Sequence, residues 1–226
     1  MKRTVLFCCS LLAMINLAKA QNPTTLVKHS HDFLVIGLSH DTWVGAGDSL
    51  KMGSLSRGLN VALMYDFPVK EGSHLSVAPG LGVSTSSIFL KKQTLDIGQS
   101  SSGFNIRSDS SYKHYKLATA YVEIPIMLRY RTYPDNANKG FKAAAGLKFG
   151  ALISAHTKGK RLANGSKEVD KVSNKQYFQP WRVSASARVG WGNFSIFGNY
   201  SLTELLKTGA GPALNPLQIG IGLSGL

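Results

Sequence analysis

The sequence predicts an all-β fold, namely an eight-stranded antiparallel up-and-down transmembrane barrel with short periplasmic turns and long external loops. Eight segments alternate apolar residues with small or polar ones at a period of two. Short and long connections alternate between these segments, as they do in outer-membrane barrels. The second residue set is rich in Gly, Ala and Ser, which suits the crowded interior of a narrow barrel. A soluble barrel or sandwich would also alternate apolar and polar residues. Whether the apolar set faces outward or inward therefore decides between a membrane barrel and a soluble fold.

The chain begins with a predicted signal peptide at residues 1–20. Its parts are a basic start (Lys2 and Arg3), an apolar stretch (5–17) and an A-x-A cleavage site (18–20). We therefore expect an exported protein with a short tail at 21–32 and the barrel domain at 33–226. Both cysteines, Cys8 and Cys9, lie in the signal peptide, so the mature chain has no thiol for a disulfide.

The charge balance predicts anionic partners. The formal net charge is +14, and removing Lys2, Arg3 and Lys19 with the signal peptide leaves +11. Such a charge suits phosphorylated lipid head groups or nucleic acid, and export argues against nucleic acid. After the signal peptide no apolar run reaches 18 residues, which excludes a spanning helix but leaves a spanning barrel open.

The predicted strands follow one another along the whole mature chain. In order they are 33–42, 57–67, 75–89, 119–131, 141–154, 181–191, 194–202 and 217–224. The alternating apolar residues are Leu59, Val61, Leu63, Tyr65 and Phe67 in the second strand; Leu75, Val77, Leu81 and Val83 in the third; Val122, Ile124, Ile126 and Leu128 in the fourth; Leu147, Phe149 and Ile153 in the fifth; Trp181, Val183, Val189 and Trp191 in the sixth; Phe194, Ile196 and Tyr200 in the seventh; and Leu217, Ile219, Ile221 and Leu223 in the eighth. The first strand has an ambiguous phase, because 33–38 is apolar on both residue sets.

The connections and the aromatic residues support a membrane setting. The long connections are 43–55, 91–114, 157–178 and 204–213, and the short ones are 68–73, 133–139 and 192–193. All long connections therefore fall at one end of the meander. Aromatic residues gather near the strand ends, where interfacial girdles are expected: Trp43, Tyr65, Phe67, Tyr130, Tyr133, Phe141, Trp181, Trp191, Phe194 and Tyr200.

The fourth strand contains a glutamate between apolar neighbours. If Val122 and Ile124 face lipid, Glu123 points into the lumen, where an ionised group needs charged or hydrogen-bonding partners. The same phase predicts the rest of a luminal charge network: Arg129, Lys142, Lys148, Arg182, Arg188 and Asp66. We expect Glu123 to be its central anion. The network could fill and rigidify the barrel, bind a ligand or relay protons, but eight strands leave little room for a diffusion pore.

Two prolines interrupt predicted strands. Proline lacks the amide hydrogen that a closed barrel needs in its ladder. Pro125 and Pro79 therefore predict a bulge or a local break in pairing.

The fourth strand also carries a family resemblance. Its "YVEIPIMLRYR" stretch (121–131) resembles the Tyr-Leu-Glu-Ile-Pro-Leu-Leu-Leu-Lys-Tyr signature of the PorT-like outer-membrane barrel family of Bacteroidetes. The strands "GLNVALMYDFP" (58–68), "GFKAAAGLKFGALISA" (140–155) and "RVGWGNFSIFGNYSL" (188–202) agree with it. The resemblance implies an eight-stranded outer-membrane barrel. Some members of that family are linked to protein secretion and gliding, while most have no assigned role.

Catalytic and metal-binding chemistry is weakly supported by the sequence. A lipid A-modifying barrel enzyme would use His with Ser and a carboxylate. His156, expected on the luminal phase near Ser154, is the best candidate, but no carboxylate shares its strand. The tail stretch 29–32 could bind a metal, although adjacent ligands in a tail are more often only polar. We therefore expect no catalytic residue, cofactor or metal, with the enzyme and a soluble periplasmic ligand carrier as alternatives.

The long loops carry the stronger signal. Residues 158–175 contain six cationic and two acidic side chains. Residues 91–116 contain five cationic and two acidic side chains. On the external side Lys158, Lys160, Arg161, Lys91 and Lys92 are expected to contact lipopolysaccharide phosphates, at about 1 kcal/mol per cation. The sequence thus predicts a non-enzymatic structural or accessory component of the outer membrane. Its expected partners are outer-membrane lipids and envelope proteins, with a secretion apparatus among the candidates.

Overall fold

The computed structural model describes residues 33–47, 50–98, 105–109, 111–136, 138–163 and 166–225. The predicted signal peptide, the tail at 21–32 and its His29 and His31 lie outside the described residues.

The described residues form twelve β-strands. They are β1 (Leu34–Val44), β2 (Arg57–Met64), β3 (Phe67–Pro68), β4 (Leu75–Leu90), β5 (Gln93–Asp96), β6 (Asn105–Ser108), β7 (Tyr112–Arg131), β8 (Phe141–Ala163), β9 (Ser166–Ser173), β10 (Trp181–Trp191), β11 (Phe194–Ser201) and β12 (Asn215–Ser224). Eight of them, β1, β2, β4, β7, β8, β10, β11 and β12, pair antiparallel in chain order, and β12 closes the ring against β1. The fold class predicted from the sequence is therefore confirmed.

The apolar residue set faces outward. On β7, Ile124, Ile126 and Leu128 are 51%, 45% and 52% exposed, whereas Glu123 is 5% exposed. The other barrel strands repeat this pattern, with Leu63, Leu81 and similar residues outside. An apolar surface of this extent on a closed barrel is a lipid-facing belt, and a soluble barrel would bury it instead.

The aromatic residues frame this belt with one exception. Tyr65, Phe67, Tyr130, Tyr133, Phe141, Trp181, Trp191, Phe194 and Tyr200 are exposed on the outside. Trp43 is 5% exposed and packs inside, so its predicted place in a girdle is wrong. The reason is the phase of β1, in which the odd residues point inward, as the burial of Val35 and Asp41 shows.

The end of the barrel with the long connections is closed by an apolar cluster, here named the apolar cap. Its buried members are Trp43, Ala46, Leu50, Ile88, Leu90, Leu95, Ile97, Tyr115, Leu117, Ala155, Tyr177, Phe178, Leu205, Leu206 and Leu214. They come from strand ends and from all four long connections, so the loops fold inward and bury their apolar side chains together.

Two of the long connections contain strands that the sequence did not predict. β5 pairs with β6 in a separate hairpin, and β8 continues beyond the barrel to pair with β9. The pairing of β8 with β10 ends at the pair Ala151–Trp181. From His156 onward, β8 pairs with β9 instead. The expected loops at 91–114 and 157–178 are therefore hairpins over part of their length.

The two prolines interrupt the sheet as predicted, by a break rather than a bulge. The β4–β7 ladder stops between the pairs Pro79–Ile126 and Gly82–Glu123 and resumes in the same register. Pro79 also separates β2 from β3, because its carbonyl accepts from the Tyr65 amide (2.9 Å) but it has no amide hydrogen to return.

A bulge lies farther along β8. Ala120 pairs with Ser154 but Tyr121 pairs with Leu152, so Ile153 is an extra residue. Beyond it the phase of β8 is inverted, and Ala155 points inward with 0% exposure. His156 consequently lies on the outer surface, and its expected luminal position is wrong.

Candidate functional site

The part of the lumen nearer the apolar cap, here called its upper part, holds an ionic cluster around Glu123. Arg182 donates from Nη2 to Glu123 Oε1 and to Ser84 Oγ (2.7 Å), and Lys148 Nζ lies 3.5 Å from Glu123 Oε2. The Arg182 guanidinium also stands 3.8 Å from the centre of the Tyr121 ring. Alternation on β7, β8 and β10 brings these side chains together, and each of the charged groups is largely shielded from solvent.

A second ionic cluster lies nearer the short-turn end. Both oxygens of Asp66 accept from Arg129 Nη1 at 3.0 Å, and Arg131 Nη2 donates to Asp66 Oδ2. The Ser76 hydroxyl lies 3.4 Å from Asp66, and Arg129 Nη2 lies 2.9 Å from the sulfur of Met64. Asp66 is therefore shared by two arginines, and Glu123 is the central anion of the upper cluster only.

A hydrogen-bonded chain crosses the opposite wall of the lumen. Ser186 donates to Asn199 (2.7 Å), Asn199 to Gln218 (3.2 Å), and Gln218 to Asp41 (3.0 Å), which also accepts from Ser39 (2.5 Å). The sequence analysis missed this chain, because most of its members are uncharged and the phase of the first strand was ambiguous. The polar residues at 39 and 41, two apart on that strand, were the signal that could have placed it.

The two remaining predicted luminal cations have contacts away from Glu123, although Arg188 lines the same small cavity as Glu123. Lys142 Nζ donates to Ser224 Oγ at 2.8 Å, and the Arg188 guanidinium stacks on Phe197 at 5.6 Å.

Little free space is left between these side chains. The cavity bounded by Glu123, Arg129 and Lys148 has a volume of about 40 Å³, enough for about one water molecule. The lumen described here is therefore a packed polar core closed at one end by the apolar cap.

An open cleft of about 1110 Å³ lies outside the cap. It is lined by the connection after β1 and by both sides of the β5–β6 hairpin, and it holds Lys51, Lys91 and Lys92. Lys92 has a φ of 52°, a left-handed conformation that a lysine rarely adopts. Two of the predicted phosphate contacts thus lie in one cationic cleft.

A second group of cations lies on the outer wall above the apolar belt. Lys116 on β7 pairs with Lys158 on β8, and Lys158 pairs with Lys171 on β9. These three residues, here named the lysine row, share one face because directly opposite residues point to the same side of a sheet. His156 lies one step nearer the belt and Lys160 one step farther from it.

Two titratable groups in or beside the lysine row, Lys116 and His156, have lowered pKa values. Burial lowers the pKa of Lys116, and the neighbouring Lys158, Arg57 and Lys160 lower it further. Burial likewise lowers the pKa of His156, with added effects of Lys171, Lys116 and Lys158. The row is therefore a concentration of like charge.

Arg161, predicted together with Lys158 and Lys160, lies on the opposite face of β8. Its Nε atom lies 2.9 Å from Glu168 and 3.6 Å from Asp170. Tyr112 donates to Asp170 at 2.6 Å, and this hydrogen bond raises the pKa of Tyr112 to about 12. The acids of the β8–β9 hairpin are thus engaged on the face away from the lysine row.

Fold and surface together define a membrane-spanning β-barrel with a packed polar lumen. Comparison with known families agrees: the family described as "Outer membrane protein beta-barrel domain" matches residues 37–207. The chain belongs to this family and is an outer-membrane β-barrel protein. The short-turn end is therefore periplasmic and the apolar cap is external.

Two solved structures are similar in outline. One is Ail, the attachment invasion locus protein of Yersinia pestis, at 16% identity, covering 84% of this chain and 95% of that one with a TM-score of 0.36. The other is the same protein in complex with the heparin analogue sucrose octasulfate, at 14% identity, the same two coverages and a TM-score of 0.35. No curated protein matches the sequence.

Two features are absent from the described part of the chain. Within it, no helix has the length and apolar character needed to cross a membrane. The same residues contain no group of three or more His, Cys, Asp or Glu side chains arranged to hold a metal ion.

Proposed function

We propose that this protein is a non-enzymatic structural or accessory component of the outer membrane that works through its external rim. One observation carries the proposal: the lumen is filled by Glu123, Asp66 and their cationic partners and is covered by the apolar cap. A barrel packed in this way offers no route for a solute. The surfaces left for function are the external cleft, the β8–β9 hairpin and the outer wall.

The rim is proposed to contact lipopolysaccharide phosphates. Lys158 and Lys160 face outward above the apolar belt, and Lys91 and Lys92 line the external cleft. Each cation near an anionic membrane surface contributes about 1 kcal/mol. Arg161 is expected to contribute less to phosphate binding, because it already pairs with Glu168 and Asp170.

A PorT-like membership and a role beside a secretion apparatus are the finer part of the proposal. Their support is the "YVEIPIMLRYR" stretch, whose Glu123 is held by Arg182 and Lys148 and whose Pro125 coincides with the break in the β4–β7 ladder. An envelope partner would dock on the external cleft or on the β8–β9 hairpin.

The lipid A-modifying alternative receives no support from the position of His156. The charged groups that act on it are Lys171, Lys116 and Lys158, and none of them can orient an imidazole as a carboxylate does. The soluble-carrier alternative conflicts with the exposed apolar belt.

Reconstitution tests the proposal. Purified barrel in vesicles should give no flux of small solutes and should bind lipopolysaccharide more tightly than its dephosphorylated form. The double variant Lys158→Gln and Lys160→Gln should bind more weakly, while Lys207→Gln, an exposed external lysine elsewhere, should not. Solute flux, or a change in the acyl chains of lipid A, would contradict the proposal. A deletion strain that secretes its surface proteins normally would contradict the secretion part alone.

A further inference from the structure

The lysine row stands at the height of the lipid head groups. On β7 the ten residue-to-residue steps from Tyr130 to Ala120 rise by about 25 Å along the barrel axis, which is the height of the apolar belt. Lys116 lies four residues beyond Ala120, about 10 Å higher. The row therefore lies just outside the hydrocarbon region, where the phosphates of outer-leaflet lipids are located.

The arrangement of the row is unfavourable unless an anion is present. Lys158 lies directly opposite a lysine on both sides, and like charges in directly opposite positions destabilise a sheet. Among the described residues no carboxylate pairs with Lys158 or Lys171, since Glu168 and Asp170 engage Arg161 on the other face. Lys116 donates a hydrogen bond to a neutral oxygen, Ser87 Oγ, at 3.3 Å.

The surroundings of the row favour a lipid over a free anion. Phe89 pairs with Lys116 at the end of the row, and its ring centre lies 5.6 Å from Lys116 Nζ. Below the row, Ile153 at the bulge is 49% exposed and continues into the apolar belt. A phosphate on the lysines would thus be joined to acyl chains on an adjoining apolar surface.

We propose that Lys116, Lys158 and Lys171 form a site for one phosphate monoester of an outer-leaflet lipid, and that its occupancy holds the β8–β9 hairpin against β7. This inference rests on the proposed lipid contact and narrows it to one row and one structural consequence. The bound phosphate supplies the negative charge that the row lacks. The hairpin gains its full order only in an anionic outer leaflet.

The test uses the full barrel folded in a nonionic detergent. Bisphosphorylated lipid A, dephosphorylated lipid A and inorganic phosphate are each added, and thermal unfolding and hydrogen exchange of the β8–β9 amides are followed. Bisphosphorylated lipid A should raise the unfolding midpoint and slow exchange in the hairpin. The other two additions should do neither. An equal effect of inorganic phosphate would overturn the assignment to a lipid.

Lys158→Gln separates this site from general attraction to the membrane. Without lipid the variant should be more stable than the wild type, because the central like charge is gone. Its affinity for bisphosphorylated lipid A should fall about fivefold, and the lipid should no longer slow exchange in the hairpin. Lys171→Gln should behave in the same way, and Lys207→Gln should match the wild type.

The possible failures can be told apart. If both row variants bind and respond to lipid A as the wild type does, the row is not the site but the general contact stands. If the wild type does not bind lipid A in this assay, the proposed lipid contact fails as well. A loss of stability in both row variants without lipid would overturn the electrostatic reasoning.

Discussion

The substitution Glu123→Gln tests whether the luminal ion pairs hold the barrel together. Glutamine keeps the shape of the side chain but removes its charge. Lys148 and Arg182 then remain in the lumen with side chains 13% and 7% exposed and without their carboxylate. Leaving a buried charge unpaired costs about 3 to 5 kcal/mol. We expect the free energy of unfolding to fall by about that amount.

The expected loss of stability depends on the burial of the ion pair. An exposed ion pair in the same protein therefore serves as a matched control. The pair of Arg161 and Glu168 has similar chemistry, but its side chains are 42% and 47% exposed. Water and salt screen such a pair, so Glu168→Gln should change the stability little. A double variant, Glu123→Gln with Lys148→Met, removes one of the two cations that Glu123→Gln leaves unpaired. It should recover part of the stability lost by Glu123→Gln alone.

The assay is urea unfolding of the barrel in lipid vesicles, followed by tryptophan fluorescence and by heat-modifiable gel mobility. The reasoning is refuted if Glu123→Gln stays within about 1 kcal/mol of the wild type. That result would mean that water in the lumen solvates the two cations as well as the carboxylate does. An equal loss in Glu168→Gln would also refute it, because burial would then not be the cause.

Three further outcomes follow from the outer surface and the hairpin. Ile126→Lys places a charge on the lipid face and should cost about 2 to 4 kcal/mol in the same urea titration, and an unchanged midpoint would show that this face does not meet lipid. The hydrogen bond to Asp170 raises the pKa of Tyr112 to about 12, so the stability from this bond should be complete below pH 10 and lost as the pH rises through 12. The loss should appear as a fall in the urea unfolding midpoint that Tyr112→Phe abolishes. Burial lowers the pKa of His156, so its pH dependence runs in the opposite direction to that of Tyr112. The stability present above pH 6.5 should be lost as the pH falls through the pKa of His156 in the folded protein. Hydrogen exchange of β8–β9 should record that loss in the wild type and not in His156→Gln.

The barrel could be predicted from the sequence because one rule repeats along it. Period-two alternation places Ile124 outside and Glu123 inside, and the same rule holds for the other barrel strands with a clear phase, in β8 as far as its bulge. The rule was insufficient for β1, where both residue sets are apolar. There the inward set is fixed by packing: Gly37 leaves room for Phe197, whose ring would lie 2.6 Å from an added Cβ. Trp43 follows from that phase and lies in the cap.

The position of His156 could not be predicted, because a bulge changes the phase without changing the composition. Ile153 is apolar and fits either residue set, so the sequence carries no mark of the extra residue. The β8–β9 hairpin was missed for a related reason. Charged residues occur in both alternating residue sets of β9 (Ser166–Ser173), so this strand shows no alternation between apolar and polar residues.

The inner and outer surfaces of the external rim are linked through the same strands. On β7, Tyr115 and Leu117 are buried in the apolar cap, while Lys116 between them belongs to the lysine row. The Tyr115 hydroxyl donates to the Leu95 carbonyl at 2.7 Å and so attaches the β5–β6 hairpin to the same strand. Because adjacent residues of a strand share one backbone, a shift of the β7 backbone at Lys116 would also shift Tyr115 and Leu117. The lysine row on the outer surface and the apolar cap inside therefore share β7 as their common support.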